Sequence, residues 1–234
     1  KPKCLVVCTT LSNPSGATLS AERRERLVEV CRETGVRLIE DDIYAELADA
    51  GAPKPCRAYD DGSVVSFVTS FSKTVSPGSR VGYALPGTPE LCDAFAARKT
   101  QQDIHSSVIS EVGLRTFIQQ GSLDPHLKTL RERYRERRAL ALRTIESHFP
   151  KGTQTVVPEG GFMLWVELPK EYPASCLATV KAAARKEGVI FGSGEVFFAE
   201  TPRKAYLRLG LAKASLPDLE RGIATLGRLI KAQA

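Results

Sequence analysis

Val64-Val65-Ser66-Phe67-Val68-Thr69-Ser70-Phe71-Ser72-Lys73 is the stretch that decides how this chain is read. Residues 64–68 are nearly all β-formers, the make-up of a strand buried on both faces. The apolar run stops abruptly, and serines and a lysine stand where core residues would otherwise continue. A lysine directly after a buried strand needs a partner or a lowered pKa, and the latter makes its amine nucleophilic. The bland alternative is a lysine that snorkels to water.

Upstream, the same plan occurs twice. Residues 4–8 (Cys-Leu-Val-Val-Cys) read as a buried strand, followed by a polar turn containing Asn13-Pro14-Ser15-Gly16. Ser20 is a natural N-cap for a helix over about 21–34, with Leu27, Val30 and Cys31 on one face. Gly35 supplies a left-handed stop. Val36 to Ile39 then forms a short strand that ends in Glu40-Asp41-Asp42, and a Pro- and Gly-containing loop fills 49–62. Strand, helix, strand and again strand is the rhythm of an α/β layer with mainly parallel pairing. Ligands of such sheets bind beyond the carboxyl ends of the strands. That rule singles out Asp41, Asp42, Ser70, Ser72 and Lys73.

The downstream half differs. Residues 89–120 read as helix with polar interruptions, and 124–148 as a long helix. Its Arg-Glu-Arg-Tyr-Arg-Glu-Arg-Arg run, 131–138, is expected to be a solvated face, because glutamates interleave the arginines. Short strands are expected at 153–157, 161–168, 189–191 and 205–211, with helices over about 174–187 and 216–232. The chain therefore divides into residues 1–125, an α/β part, and 126–234, a linking helix with a small α+β domain.

Composition narrows the class. The 234 residues are 42% hydrophobic and 26% charged, which excludes disorder and a disulfide-dense miniprotein for the whole chain. The net charge of +6 is mild and is no nucleic-acid footprint by itself. No run of 18 apolar residues suggests a membrane span. The six cysteines have irregular spacings and form no C-x-x-C pair, so they read as reduced, mostly buried thiols of a cytoplasmic protein. The three histidines match no metal-ligand spacing, and no metal is expected.

Four motifs taken in order resemble those of the fold-type-I, pyridoxal-phosphate (PLP)-dependent aminotransferases of class I/II. They are Asn13-Pro14-Ser15-Gly16, Asp41-Asp42-Ile43-Tyr44, Ser70-Phe71-Ser72-Lys73 through Pro77-Gly78-Ser79-Arg80, and Tyr206-Leu207-Arg208-Leu209. Each is weak alone: the first is by itself only a turn, Asp41 could be a strand-end acid or a helix cap, and Arg208 an ordinary strand arginine. Their order and spacing make the set specific. The resemblance implies the C-terminal part of a PLP-binding large domain, then the small domain.

The roles it implies are these. Lys73 is the catalytic lysine, bonding the PLP aldehyde and shuttling a proton. Asp41, three residues before Tyr44, pairs with the pyridine nitrogen, with Asp42 as the neighbouring alternative. Tyr44 and Asn13 hydrogen-bond the ring's 3′-oxygen. Ser70, Ser72 and Arg80 hold the phosphate, and Arg208 takes the α-carboxylate of an amino acid or 2-oxo acid. A homodimer is implied as well.

The family's earlier portion, with its phosphate-binding turn and stacking aromatic ring, has no counterpart here. The start at Lys1-Pro2-Lys3 is accordingly expected to be a cut inside the large domain.

Glu159-Gly160-Gly161-Phe162-Met163-Leu164-Trp165-Val166-Glu167-Leu168-Pro169, Pro77 through Tyr83, and the 131–138 helix are similar to one branch in particular. It is the aminotransferase-like effector domain of MocR-type regulators in the GntR family. In that reading, DNA is bound only by a separate, upstream module. The same features occur in free-standing aminotransferases of the aminoadipate/aromatic group, so the enzyme reading stays open.

Overall fold

The computed structural model describes residues 2–233, so Lys1 lies outside the described residues. Two compact units are present, and each is described by itself. The first comprises the residues up to Ser12 together with Ala17–Arg131. The second comprises Asn13–Gly16 together with the chain from Glu132 onward.

The first unit is built on a four-stranded sheet in chain order. Strands β1 (Cys4–Val7), β2 (Arg37–Asp41) and β3 (Val65–Ser70) pair in parallel. Strand β4 (Gly82–Leu85) closes the edge antiparallel to β3. The sheet is thus mainly parallel, as the strand–helix–strand rhythm requires.

Helix α1 (Ala21–Thr34) makes the crossover from β1 to β2. Ser20 caps it by accepting from the Arg23 amide, and Gly35, at φ 63°, takes the left-handed conformation that lets its amide reach the last carbonyls. Val28 and Cys31 of α1 pack on Leu38, Val65 and Cys56. This one face of the sheet therefore has a packed core. Helices α2 (Pro89–Asp103) and α3 (Val108–Gln119) follow, and α4 (Leu123–His148) begins in this unit.

Burial corrects two expectations. β1 is not a buried strand: Leu5 and Val6, on its two faces, are both exposed. In β3 only Val65 is fully buried. The thiols follow the same pattern. Cys31 and Cys56 are buried, whereas Cys4 and Cys92 are exposed.

The second unit carries an antiparallel sheet in the order β5-β6-β8-β7. Its strands are β5 (Gln154–Thr155), β6 (Met163–Glu167), β7 (Gly192–Ser193) and β8 (Tyr206–Gly210). The strand expected at 189–191 lies instead at 192–193. Gly192 pairs with Arg208 at a spot where a Cβ would sit 3.3 Å from the Arg208 carbonyl, so a glycine permits the close pairing.

Helices α5 (Cys176–Lys186) and α6 (Leu216–Lys231) cover one face, with Leu164, Val166, Leu207 and Ile230 in the core. The arginine run is not wholly solvated. Arg138 is buried and donates to the Gly161 carbonyl at 2.6 Å. Arg137 donates to the carbonyls of Leu211 and Ala214. These bonds satisfy loop carbonyls that would otherwise be buried without donors. Among the described residues, no helix is long and apolar enough to cross a membrane.

Candidate functional site

β2 runs into three consecutive acids, Glu40, Asp41 and Asp42. Asp42 is buried, and its Oδ1 accepts from the Thr10 hydroxyl at 2.7 Å. Its backbone is held as well: the amide donates to the Val68 carbonyl and the carbonyl accepts from the Thr69 hydroxyl. Asp41 differs. It pairs with Val68, so Asp41, Val68 and Ser70 share a face of the sheet. Its Oδ1 is shut off from water and has no hydrogen-bond partner among the described residues. Burial raises its carboxyl above the ordinary value, only partly offset by the Ile43 amide. A buried carboxylate oxygen without a donor is costly, and it fits a place where a charged donor binds. Tyr44, three residues after Asp41, is buried, its carbonyl accepting from the Leu47 amide at the start of a 3-10 turn.

β3 ends in a polar corner. The Ser70 hydroxyl accepts from the Ser72 amide at 3.1 Å and lies 2.9 Å from the Ser72 hydroxyl. It also donates to the Val81 carbonyl at 3.1 Å. Arg80 sits in the left-handed region at φ 54°, unusual for a residue with a side chain, and Nη1 points back to Ser72 Oγ at 3.5 Å. Two hydroxyls and an exposed guanidinium thus share one corner, a donor set suited to a phosphate or other dianion. Lys73, half-buried, stands on the turn that closes through the Val75 amide on the Phe71 carbonyl at 2.8 Å.

In the second unit, Arg208 on β8 donates through Nη1 to Asn13 Oδ1 at 3.0 Å, across 195 residues of sequence. Its guanidinium carbon stands 5.0 Å from the centre of the Phe197 ring. Trp165, the cross-strand partner of Arg208, stacks on Tyr206 at 5.4 Å. An arginine so held, with one side chain on Nη1, keeps other N–H groups that can grip a carboxylate. The peptide bond between Asn13 and Pro14 is cis.

Three contributors escape a reading by motif. His126 on α4 donates from Nε2 to the carbonyl of Thr74, next to Lys73, at 2.8 Å. No local pattern announces a contact over 52 residues. Arg24 and Thr10 form a buried network behind the acidic end of β2. For Arg24 a signal existed: it lies four and seven residues before Val28 and Cys31, on the buried stripe of α1.

Comparison with known proteins bears on these residues. The family described as Aminotransferase class I and II matches residues 1–226. The HTH-type transcriptional regulator YdfD of Bacillus subtilis is 33% identical over 94% of this chain and 44% of its own length. The aromatic-amino-acid aminotransferase 1 of Thermococcus litoralis is 32% identical over 99% of this chain and 55% of its own. The chain thus spans about half the length of the curated relatives it matches. Among solved structures, LysN, the α-aminoadipate aminotransferase of Thermus thermophilus complexed with N-(5′-phosphopyridoxyl)-L-leucine, superposes with a TM-score of 0.89 at 30% identity. That match covers 100% of this chain and 60% of LysN.

Proposed function

This chain belongs to the aminotransferase class I and II family, and from that premise we propose that it is the PLP-binding, aminotransferase-like domain of a MocR-type transcriptional regulator, sensing an amino-acid-like ligand. The observation that carries the cofactor reading is the partnerless, water-excluded Oδ1 of Asp41. A protonated ring nitrogen supplies both the hydrogen bond and the positive charge which that oxygen lacks. The fit extends to the other pole of the cofactor, because Ser70, Ser72 and Arg80 offer hydroxyls and a guanidinium for its phosphate.

When bound, PLP acts as an electron sink that acidifies the α-carbon of the amino acid. The chain's own residues do the rest. Lys73 would offer Nζ as the point of attachment for the cofactor and as the carrier of the α-proton. Asp41 keeps the proton on the ring nitrogen. Tyr44 and Asn13 orient the ring through its 3′-oxygen. Arg208, whose Nη1 bonds Asn13, grips the ligand's carboxylate. The ligand is an amino acid or its 2-oxo acid, the assembly a homodimer, the compartment the cytoplasm, and DNA belongs to a separate module.

The regulator reading draws support from the HTH-type relative, of which this chain spans 44%. A second reading, a free-standing aminotransferase, is supported by the Thermococcus litoralis enzyme, of which it spans 55%. The test is spectroscopic. The intact protein with PLP should show a visible band from lysine-bound cofactor, and Lys73→Ala should abolish it. A band that survives Lys73→Ala refutes the assignment. Many turnovers of an amino acid with a 2-oxo acid would favour the enzyme, whereas ligand binding without turnover favours the regulator.

A further inference from the structure

Glu40, Asp41 and Asp42 are consecutive acids, yet the fold treats them differently. Glu40 is fully buried and saturated: Oε1 accepts from the Thr9 hydroxyl and the Cys56 amide, both at 2.8 Å, and Oε2 from the Arg57 amide at 3.0 Å. Beside it stands Arg24, fully buried, with Nη1 3.8 Å from Oε1. The guanidinium also donates to the carbonyls of Leu19 at 2.9 Å, Thr9 at 3.0 Å and Lys54 at 3.5 Å. Its remaining bond, from Nη2 at 3.0 Å, goes to the Thr10 hydroxyl. That hydroxyl in turn donates its own proton to Asp42 Oδ1. One buried cation thus answers two carboxylates, Glu40 directly and Asp42 through Thr10. Asp41, between them, faces the other side of the sheet; the Ile43 amide bonds its carboxyl, but Oδ1 has no partner among the described residues.

Burying an ion pair returns little stability over an apolar pair of equal volume, so such a network is better explained by the arrangement it enforces. Around Asp42, burial and the carboxylates of Glu40 and Glu46 raise its pKa, while Arg24 and the Thr10 hydroxyl lower it. Without Arg24, every charged neighbour on that roll is an acid. We infer that Arg24 is a positioning residue for the cofactor site: by anchoring Glu40 and, through Thr10, Asp42 on one face of the strand end, it fixes the backbone that presents Asp41, on the other face, to the ring nitrogen. The inference rests on the PLP reading above, and it adds a residue that touches neither cofactor nor ligand.

The test compares Arg24→Gln and Thr10→Val with Val28→Ala in the intact protein. Val28, buried on the same helix, reports lost packing alone. Two readouts are taken: PLP affinity from the visible band, and carbon-detected titration of the Asp41 and Asp42 carboxyls without cofactor, assigned with Asp41→Asn and Asp42→Asn. Arg24→Gln should weaken PLP binding about tenfold, raise the Asp42 midpoint and change the Asp41 carboxyl signal. Thr10→Val should do the same to a smaller extent, and Val28→Ala should leave both carboxyls as in the wild type. If Arg24→Gln and Thr10→Val match Val28→Ala in the carboxyl titrations, the inference is overturned. Should Arg24→Gln not fold, Thr10→Val decides, since it keeps the Arg24–Glu40 pair whole. A wild type with no lysine-bound band defeats the cofactor reading, and the carboxyl comparison still judges Arg24.

Discussion

Replacing Gly82 with Ala perturbs the Ser70–Ser72–Arg80 corner without substituting any of its three residues. Gly82 lies directly opposite Ser70 in the antiparallel β3–β4 pair. A Cβ there would stand 2.6 Å from the Thr69 carbonyl oxygen and 3.3 Å from the Cα and Cβ of Ser70. Close carbon–oxygen contacts between strands fall at about 3.3 Å or more, so the overlap is roughly 0.7 Å. The obstacle is backbone, not the end of a flexible side chain, and only a separation of the two strands relieves it. Overpacking of this kind costs about 1–3 kcal/mol. In a chain of this size that lowers the thermal midpoint by roughly 2–4 °C per kcal/mol. The displacement falls on Ser70, whose hydroxyl organises the corner. PLP affinity should therefore drop by about tenfold or more, the equivalent of roughly 1.4 kcal/mol. The assay is a thermal scan without cofactor, then a PLP titration on the visible band at a temperature where all variants are folded. Gly210→Ala is the control, since a Cβ at Gly210 meets nothing within 4 Å. Gly82→Ala with wild-type midpoint and wild-type affinity would refute the claim that close approach of β4 shapes the anion corner.

Other expectations follow from single residues. Arg208→Ala should weaken amino-acid binding roughly ten- to hundredfold, the worth of a charge-assisted hydrogen bond, with a smaller effect on PLP; equal losses in a paired titration would assign Arg208 a structural role. Asp41→Asn should change the pH dependence of the cofactor-free protein. Burial raises the Asp41 carboxyl, so the unfolded chain releases its proton first and stability falls as pH rises through the ordinary carboxyl range to the raised value. Thermal midpoints should show the variant gaining on the wild type at neutral pH and converging with it in acid, while its PLP affinity falls. The Cys56 thiol is pushed up to about 12 by burial, with Glu40 adding to it. Above the ordinary thiol value the unfolded chain loses this proton and the folded chain keeps it, so stability declines by about 1.4 kcal/mol per pH unit up to that value. Denaturant midpoints across that range should fall less steeply in Cys56→Ala, and parallel slopes would contradict the assignment.

Local chemistry made much of this chain legible. Ser20 and Gly35 bracket α1 because capping and left-handed stops depend only on near neighbours. The β-formers of 65–68 and the polar run after them placed Ser70, Ser72 and Lys73 at a strand end, and pairing with β4 holds Ser70 there. The order of four motifs was enough to name the family that residues 1–226 match. Boundaries were less legible where sheet partners decide them. Gly192–Ser193, and not 189–191, pairs with β8 because the partner strand approaches closely there.

What the sequence by itself determined, then, is which residues can carry chemistry and at which ends of strands they fall. The tertiary structure decided their partners. It left Oδ1 of Asp41 without a donor and gave Oδ1 of Asp42 one, although the two are neighbours in sequence. It brought Arg208 to Asn13, buried Arg138 out of an apparently solvated run, and set a fully buried Arg24 behind the acidic end of β2. The reason is physical. Caps, turns and strand propensity act over a few residues, whereas desolvation and charge pairing depend on which distant groups the packing brings within a few ångströms.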